Sequence, residues 1–284
     1  MAEVGDRVRE SMGVVIEVFR SFRGELMEHY GEFEFDRKEG DMSPVTVYDT
    51  KLDEAVKARL AAEFPELKYK GEETGQDAEG AYWTIDSIDG TTSYIRGVPN
   101  CTNMAAYVDH GEVLAAVIYD FVGDKLYTAV KGEGAWCDGK RLQVFEREQK
   151  FEIDMHGRGV FSAVSQLFRW QDVRPFQPRG AAGRWALDVV EGVSDGLMNM
   201  AGRGREFDFA PGVLIMLEAG AEIVTLHDGG FSLSELEKPF FIGTKAMAEV
   251  VRKNRDRLME IYDRYFMFQY LEGIERAPES SDDY

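Results

Sequence analysis

Apolar residues recur at helical spacing over residues 2–30, at Val4, Val8, Met12, Val15, Ile16, Phe19 and Leu26, with acids and arginines between them. The pattern predicts one amphipathic helix. Residues 32–40 are charged and broken by glycine, which predicts a loop or an edge strand. A second helix is expected from Asp49, read as its N-cap, through Asp53, Ala55, Val56, Leu60 and Phe64 to Pro65. A short strand at Tyr69-Lys70-Gly71 precedes the apolar run Ala81-Tyr82-Trp83-Thr84-Ile85, which reads as a buried strand. Alternating stretches over 103–108, 113–119 and 126–130, parted by Asp109-His110-Gly111, Gly123-Asp124 and the glycines 132 and 134, predict a β-meander. The second half predicts a strand over 151–155 and a helix over 161–170. A further helix runs from the small-residue turn Arg179-Gly180-Ala181-Ala182-Gly183 through Trp185, Leu187, Val189 and Val190. A strand over 196–200 follows, then a helix beyond Asp208 with Pro211 in its first turn. Strands over 221–226 and 240–242 and a terminal helix over 245–266 complete an α/β pattern. The expected division is a lobe over 1–150, a second over 151–266 and a polar, acidic tail over 267–284.

Composition narrows the partners. Lys+Arg 33 against Asp+Glu 52 gives a net charge of −19. Such a surface repels nucleic acid and anionic membranes, so neither is expected as a partner. No run of about 18 apolar residues exists to span a bilayer, and the first residues lack the basic flank and apolar stretch of a signal peptide. Cys101 and Cys137 stand far apart in sequence and suit a reducing compartment. A cytoplasmic protein is expected.

The candidate chemistry gathers at Asp86-Ser87-Ile88-Asp89-Gly90-Thr91-Thr92. Two carboxylates this close repel unless a cation lies between them, and Mg²⁺ favours oxygen ligands. The Gly-Thr-Thr that follows opens a helix start, where backbone N–H groups attract an anion. A strand–turn–helix corner with capping acids accounts for the same residues. Further acids stand at element ends: Asp49, Glu72 and Asp208. Strand alternation lets only one of Glu72 and Glu73 face a cation, unless the backbone bends. His29, His110, His156 and His227 lack metal-ligand spacing, and no nucleophile elbow, phosphate loop or dinucleotide fingerprint is present. All-carboxylate sites favour Mg²⁺ or Mn²⁺.

Four blocks together carry a resemblance: Trp83-x-Ile85-Asp86-x-Ile88-Asp89-Gly90-Thr91-Thr92, Ser43-Pro44-Val45-Thr46-x-x-Asp49, Gly71-Glu72-Glu73 and Phe207-Asp208-x-Ala210. Over residues 36–243 the chain resembles the inositol monophosphatase family of Mg²⁺-dependent, lithium-sensitive phosphatases. The resemblance implies a five-layered αβαβα sandwich and a homodimer. It implies two or three Mg²⁺ ions, with Mn²⁺ as a substitute, and a small phosphorylated metabolite as substrate. Glu72, Asp86 and the Ile88 carbonyl would bind a first ion. Asp86, Asp89 and Asp208 would bind a second, and Glu72 would touch a third. Thr91 and Asp49 would activate water, which with Glu72 makes the implied catalytic set. Gly90, Thr91 and Thr92 would hold the phosphate, Ala182 would line the substrate side beside Ala181, and Lys38 falls near the site.

The departures concern the substrate. Ala201 stands seven positions before Asp208, where inositol-specific members carry a glutamate for a sugar hydroxyl. Arg203 and Arg205 are placed to meet a second anionic group, or are solvated loop charges. Trp185 is pocket wall or core. Ser87 replaces a proline and would loosen the turn between the two acids, and Phe207 replaces a tryptophan. Inositol monophosphate or a related sugar phosphate is the expected substrate. Histidinol phosphate, then fructose 1,6-bisphosphate or NADP, are alternatives, and a non-catalytic phosphate sensor is the reading from another class.

Overall fold

The computed structural model describes residues 2–32, 34–38, 43–75, 78, 80–177, 181–202 and 204–271, including the side chains from 5 to 265 within those stretches. Helix α1 (Ala2–Glu28) buries Val8, Val15, Phe19 and Leu26, as its spacing predicts. Strands β1 (Asp36–Arg37) and β2 (Pro44–Val45) pair as a short antiparallel ribbon. Helix α2 (Val47–Glu63) follows, and here the expected cap is corrected. Thr46, with extended backbone (φ −103°, ψ 164°), is the N-cap. Asp49 lies at the third helical position and accepts the Thr46 N–H at 2.7 Å. The pair forms a capping box, so Asp49 closes the helix start from within.

Strands β3 (Lys68–Gly71) and β4 (Ala81–Asp89) lead to the short helix α3 (Thr91–Ile95). Strands β5 (Thr102–Asp109), β6 (Glu112–Asp120), β7 (Lys125–Val130), β8 (Gly134–Cys137) and β9 (Lys140–Arg141) form the meander. Together β3 to β9 make one seven-stranded sheet in chain order, parallel only between β3 and β4. Period-two alternation sorts its side chains. In β5, Ala105 and Tyr107 face the core under α1 and α2, while Met104, Ala106 and Val108 face the opposite core.

The second half runs β10 (Phe151–His156), α4 (Arg158–Phe168), β11 (Val173–Phe176), α5 (Ala182–Val190), β12 (Gly196–Asn199), α6 (Glu206–Glu218), β13 (Glu222–Thr225), β14 (Phe240–Gly243) and α7 (Lys245–Leu271). Its five-stranded sheet has the order β11-β10-β12-β14-β13. Helices α1 and α2 cover the outer face of the large sheet, α5 and α6 lie between the sheets, and α4 and α7 cover the far side. The result is the expected αβαβα sandwich.

Four local expectations change. Helix α4 starts before residue 161 and ends before Trp170, which is 85% exposed. Strand β11 was not expected. Pro211 sits in the second turn of α6, because Arg205 is that helix's N-cap. It therefore gives up a hydrogen bond to the Phe207 carbonyl within the helix. Helix α7 continues to Leu271, past the expected end at 266. Trp185, left open between wall and core, is core at 1% exposure, with its ring 5.3 Å from that of His156. Arg179, Gly180, Arg203 and the tail from 272 onward lie outside the described residues.

Candidate active site

The Asp86–Thr92 stretch lies where the large sheet meets the middle helical layer. β4 does not end at Ile85, as its apolar run suggested; it continues to Asp89, with a register break against β5 between Asp86 and Asp89. This bulge turns both acids toward the same side. Ser87 is buried within it, and its carbonyl accepts the Asn103 side-chain N–H at 2.5 Å. Gly90 then takes φ +87°, and a Cβ there would lie 2.6 Å from the Asn100 carbonyl oxygen and 2.8 Å from the Ala181 methyl. Only glycine meets both demands.

A pocket opens at this point. Lys38, Glu72, Asp86, Ile88, Asp89, Gly90, Thr91, Thr92, Ala181, Ala182 and Asp208 line it, with Pro44 and Ser93. Acids far apart in the chain thus share one cavity. Asp49 stands behind the wall, 2% exposed, and accepts the Thr91 hydroxyl at 3.0 Å. The same hydroxyl is 3.1 Å from the Ile88 carbonyl. Asp89 accepts N–H bonds from Ala182 at 3.2 Å and Gly183 at 2.7 Å, at the start of α5. A Cβ on Gly183 would fall 2.8 Å from that carboxylate, so glycine permits the approach. Asp208, in the first turn of α6, accepts the Arg205 N–H at 3.1 Å.

Glu72 and Glu73 do not behave as strand neighbours. β3 stops at Gly71, the chain turns, and both side chains reach the Lys38 ammonium, at 2.6 and 2.7 Å. Arg205 lies 3.8 Å from Glu72, with its side chain half-exposed. Ala201 is part-buried and its N–H faces the Asn199 side-chain oxygen at 3.3 Å.

The electrostatics of the pocket call for positive charge. Burial holds the Asp86 carboxyl well above its usual range, and the charges of Glu72, Asp89 and Asp208 add to that. Asp89 is raised likewise by burial and by Asp208, against the pull of the Gly183 N–H. Desolvation and Glu72 push Asp208 up to about 7. Burial lifts Glu73 to about 7 in spite of Lys38, and Asp49 to about 6 in spite of its bonds from Thr46. Burial opposes the Lys38 charge, but Glu72 and Glu73 outweigh it and hold the ammonium above the ordinary lysine range.

Does this donor set fit a metal? One oxygen of Asp86 is buried without a hydrogen-bond partner, though buried acceptors are nearly always paired. The side-chain ligands on offer are all carboxylate oxygens, which suits a hard divalent cation. Lys38 already stands as a cation against Glu72. Among the described residues no three His, Cys, Asp or Glu side chains stand close enough together to hold a metal ion as they are placed: Glu72 is drawn to Lys38 and Asp89 to α5. The set fits an open, substrate-facing site in its chemistry.

A pH dependence follows. Asp49, Glu73 and Asp208 keep protons in the folded chain at pH values where unfolded carboxyls, near 4, have lost them. The native state then binds more protons than the unfolded one, so stability falls as pH rises from about 4 through about 7. The melting temperature of chelator-treated protein is expected to fall between about pH 5 and about pH 8, and Mg²⁺ to raise it most at the alkaline end. A differential scanning measurement in which metal-free stability climbs over that range contradicts the acid cluster.

Several residues on which this geometry depends were not singled out from the sequence for it: Asp53, Asn103, Gly183 and Thr102, whose hydroxyl donates to Asp89 at 3.2 Å. Asp53 left a signal, one helical turn after Asp49.

Two sheets sandwiching a helical layer, with an acid-lined pocket at a strand bulge, define a layered αβαβα fold with a candidate site. The model of the inositol monophosphatase family matches residues 8–260, and the chain belongs to that family, whose members are phosphoric monoester hydrolases. It is 28% identical over 248 residues to a fructose-1,6-bisphosphatase/inositol-1-monophosphatase of Aquifex aeolicus, covering 83% of this chain and 91% of that one. It is 34% identical over 206 residues to inositol monophosphatase 1 of Xenopus laevis, covering 66% and 72%. A solved structure of a Thermotoga maritima IMPase superposes with a TM-score of 0.75 at 24% identity, covering 90% of this chain and 99% of that one.

Proposed function

We propose that the chain is a Mg²⁺-dependent phosphomonoesterase acting on inositol monophosphate or a related sugar phosphate. The observation that carries this is the unpartnered buried oxygen of Asp86, among the other acids of the pocket and beside the Thr91–Asp49 pair. Glu72, Asp86 and the Ile88 carbonyl would hold one ion, and Asp86, Asp89 and Asp208 a second. Such ions supply charge that neutralises the phosphate and lowers the pKa of water. The chain's own groups do the positioning. The Thr91 hydroxyl, with Asp49 as proton partner, orients the attacking water. Gly90, Thr91 and Thr92 frame the phosphate, and Ala182 leaves room on the substrate side. Water adds at phosphorus, the ester P–O bond breaks, and the alcohol leaves with a proton. Phosphate hydrolysis needs mainly such positioning and charge neutralisation.

The reading extends to a cytoplasmic homodimer of two lobes with an acidic tail. The two free thiols, Cys101 and Cys137, suit a reducing compartment. Among the described residues no helix is long and apolar enough to cross a membrane. Phosphate release from a panel of inositol 1-phosphate, histidinol phosphate, fructose 1,6-bisphosphate and NADP tests the reading. Release from none of them with Mg²⁺ present favours the non-catalytic sensor.

One observation favours a second reading, a sugar bisphosphate substrate. Ala201 offers no carboxylate for a hydroxyl, while Arg205 stands beside Glu72 with a half-exposed guanidinium. Two relatives, from Aquifex aeolicus and Thermotoga maritima, carry fructose-1,6-bisphosphatase in their names. On this reading Arg205→Ala raises KM for fructose 1,6-bisphosphate about tenfold, a lost charged hydrogen bond, and leaves KM for inositol 1-phosphate within about twofold. Equal effects on both substrates remove the second reading.

A further inference from the structure

Helix α2 carries two buried carboxylates one turn apart on one face. The first, Asp49, reaches forward to Thr91. The second, Asp53, is 1% exposed and has no part in the chemistry proposed above. Its Oδ2 accepts the backbone N–H of Glu73 at 2.9 Å and of Thr74 at 3.2 Å. Its Oδ1 accepts the Thr74 hydroxyl at 3.2 Å and the Tyr69 hydroxyl. The Tyr69 hydroxyl also lies 3.1 Å from the Asp53 carbonyl oxygen. Gly71 is pressed against the same group, since a Cβ there would fall 2.3 Å from Oδ1 and 2.5 Å from Oδ2.

These contacts surround the point where the chain leaves strand geometry. Extended backbone would send Glu72 and Glu73 to opposite faces. Instead the chain turns after Gly71, and both carboxylates face the Lys38 ammonium. The Glu73 and Thr74 N–H groups that the turn releases from the sheet are the ones Asp53 receives.

We infer that Asp53 is a positioning residue for the cation-binding edge of the pocket. Through it, α2 sets the Glu72 turn by the same face that sets Thr91. The inference rests on the proposed reading of Glu72 as a cation ligand. A merely structural Asp53 affects stability alone; a positioning Asp53 also affects metal affinity.

The experiment is a Mn²⁺ titration of full-length protein, following the free ion by electron paramagnetic resonance, alongside melting curves and Mg²⁺-dependent kinetics. In Asp53→Asn the amide turns a donor toward donors. The Mn²⁺ dissociation constant is expected to rise about 10- to 100-fold, the range for partners that orient metal ligands. The value of kcat at saturating Mg²⁺ falls by less than the affinity does. Tyr69→Phe and Thr74→Val keep the carboxylate and each remove one donor, so smaller rises are expected with a melting temperature near wild type. A folded Asp53→Asn protein with wild-type Mn²⁺ affinity overturns the inference. If that variant does not fold, the two milder ones decide: a raised dissociation constant in either upholds it, and unchanged binding in both overturns it. Wild-type protein that takes up no Mn²⁺ overturns the metal reading itself, and this inference with it. Normal wild-type uptake with unaltered variants removes only the role of Asp53.

Discussion

Asp86→Asn is expected to lower Mg²⁺-dependent phosphate release by about a thousandfold or more while the chain stays folded. The size follows from the shared position of Asp86. Its carboxylate would serve both ions, so its loss removes several kcal/mol of charge stabilisation at the transferring phosphate, and each ~1.4 kcal/mol is tenfold. The fold should tolerate the change. Asp86 is buried with one oxygen unpartnered and three other acids acting on it. Removing its charge relieves repulsion that the metal-free chain otherwise bears. Metal-free Asp86→Asn is therefore expected to melt no lower than metal-free wild type at about pH 8, and to gain less from added Mg²⁺. Phosphate release and melting curves on the same preparation check both halves. Near-normal turnover in the variant removes Asp86 from the site.

Thr91→Val carries the second largest effect, through a different step. The Thr91 hydroxyl has one proton and two acceptors in reach, Asp49 Oδ1 at 3.0 Å and the Ile88 carbonyl at 3.1 Å. If the Ile88 carbonyl is engaged with a cation, the proton is left to Asp49, and the hydroxyl oxygen is free to accept from water. Burial lifts the Asp49 carboxyl to about 6, which places it where a proton acceptor works near neutrality. Valine keeps the shape and removes the hydroxyl. The value of kcat should fall by about 10²–10⁴, the usual contribution of a positioned proton-transfer group, while Mn²⁺ affinity stays at the wild-type level. Thr91→Ser, which keeps the hydroxyl, should retain most of the activity. A Thr91→Val variant that loses metal and turnover together would make Thr91 a structural support of the metal shell.

Much of this site was legible because its core is local. Asp86 to Thr92 are consecutive, so one bulged strand running into a tight glycine turn carries them together. The capping box was legible too, in Thr46-x-x-Asp49, but Asp49 alone was read as the cap because both residue types cap helices. What stayed hidden was set by distant contacts. Strand alternation sends Glu72 and Glu73 to opposite faces; the turn that brings both to Lys38 closes on Asp53, about twenty positions away in the chain. The Asn103 side chain that donates to the Ser87 carbonyl comes from the next strand. Strand β11 escaped because Val173-Arg174-Pro175-Phe176 buries only Val173 and carries a proline, tolerable on a sheet edge. Pro211 was placed one turn too early because Arg205, a poor cap by composition, starts α6.

Titrating Mg²⁺ into chelator-stripped wild-type protein with inositol 1-phosphate tests whether turnover at this pocket depends on the metal. Phosphate release is expected to be negligible without metal and to rise and saturate with Mg²⁺. Release in the chelator equal to that with Mg²⁺ would contradict that dependence.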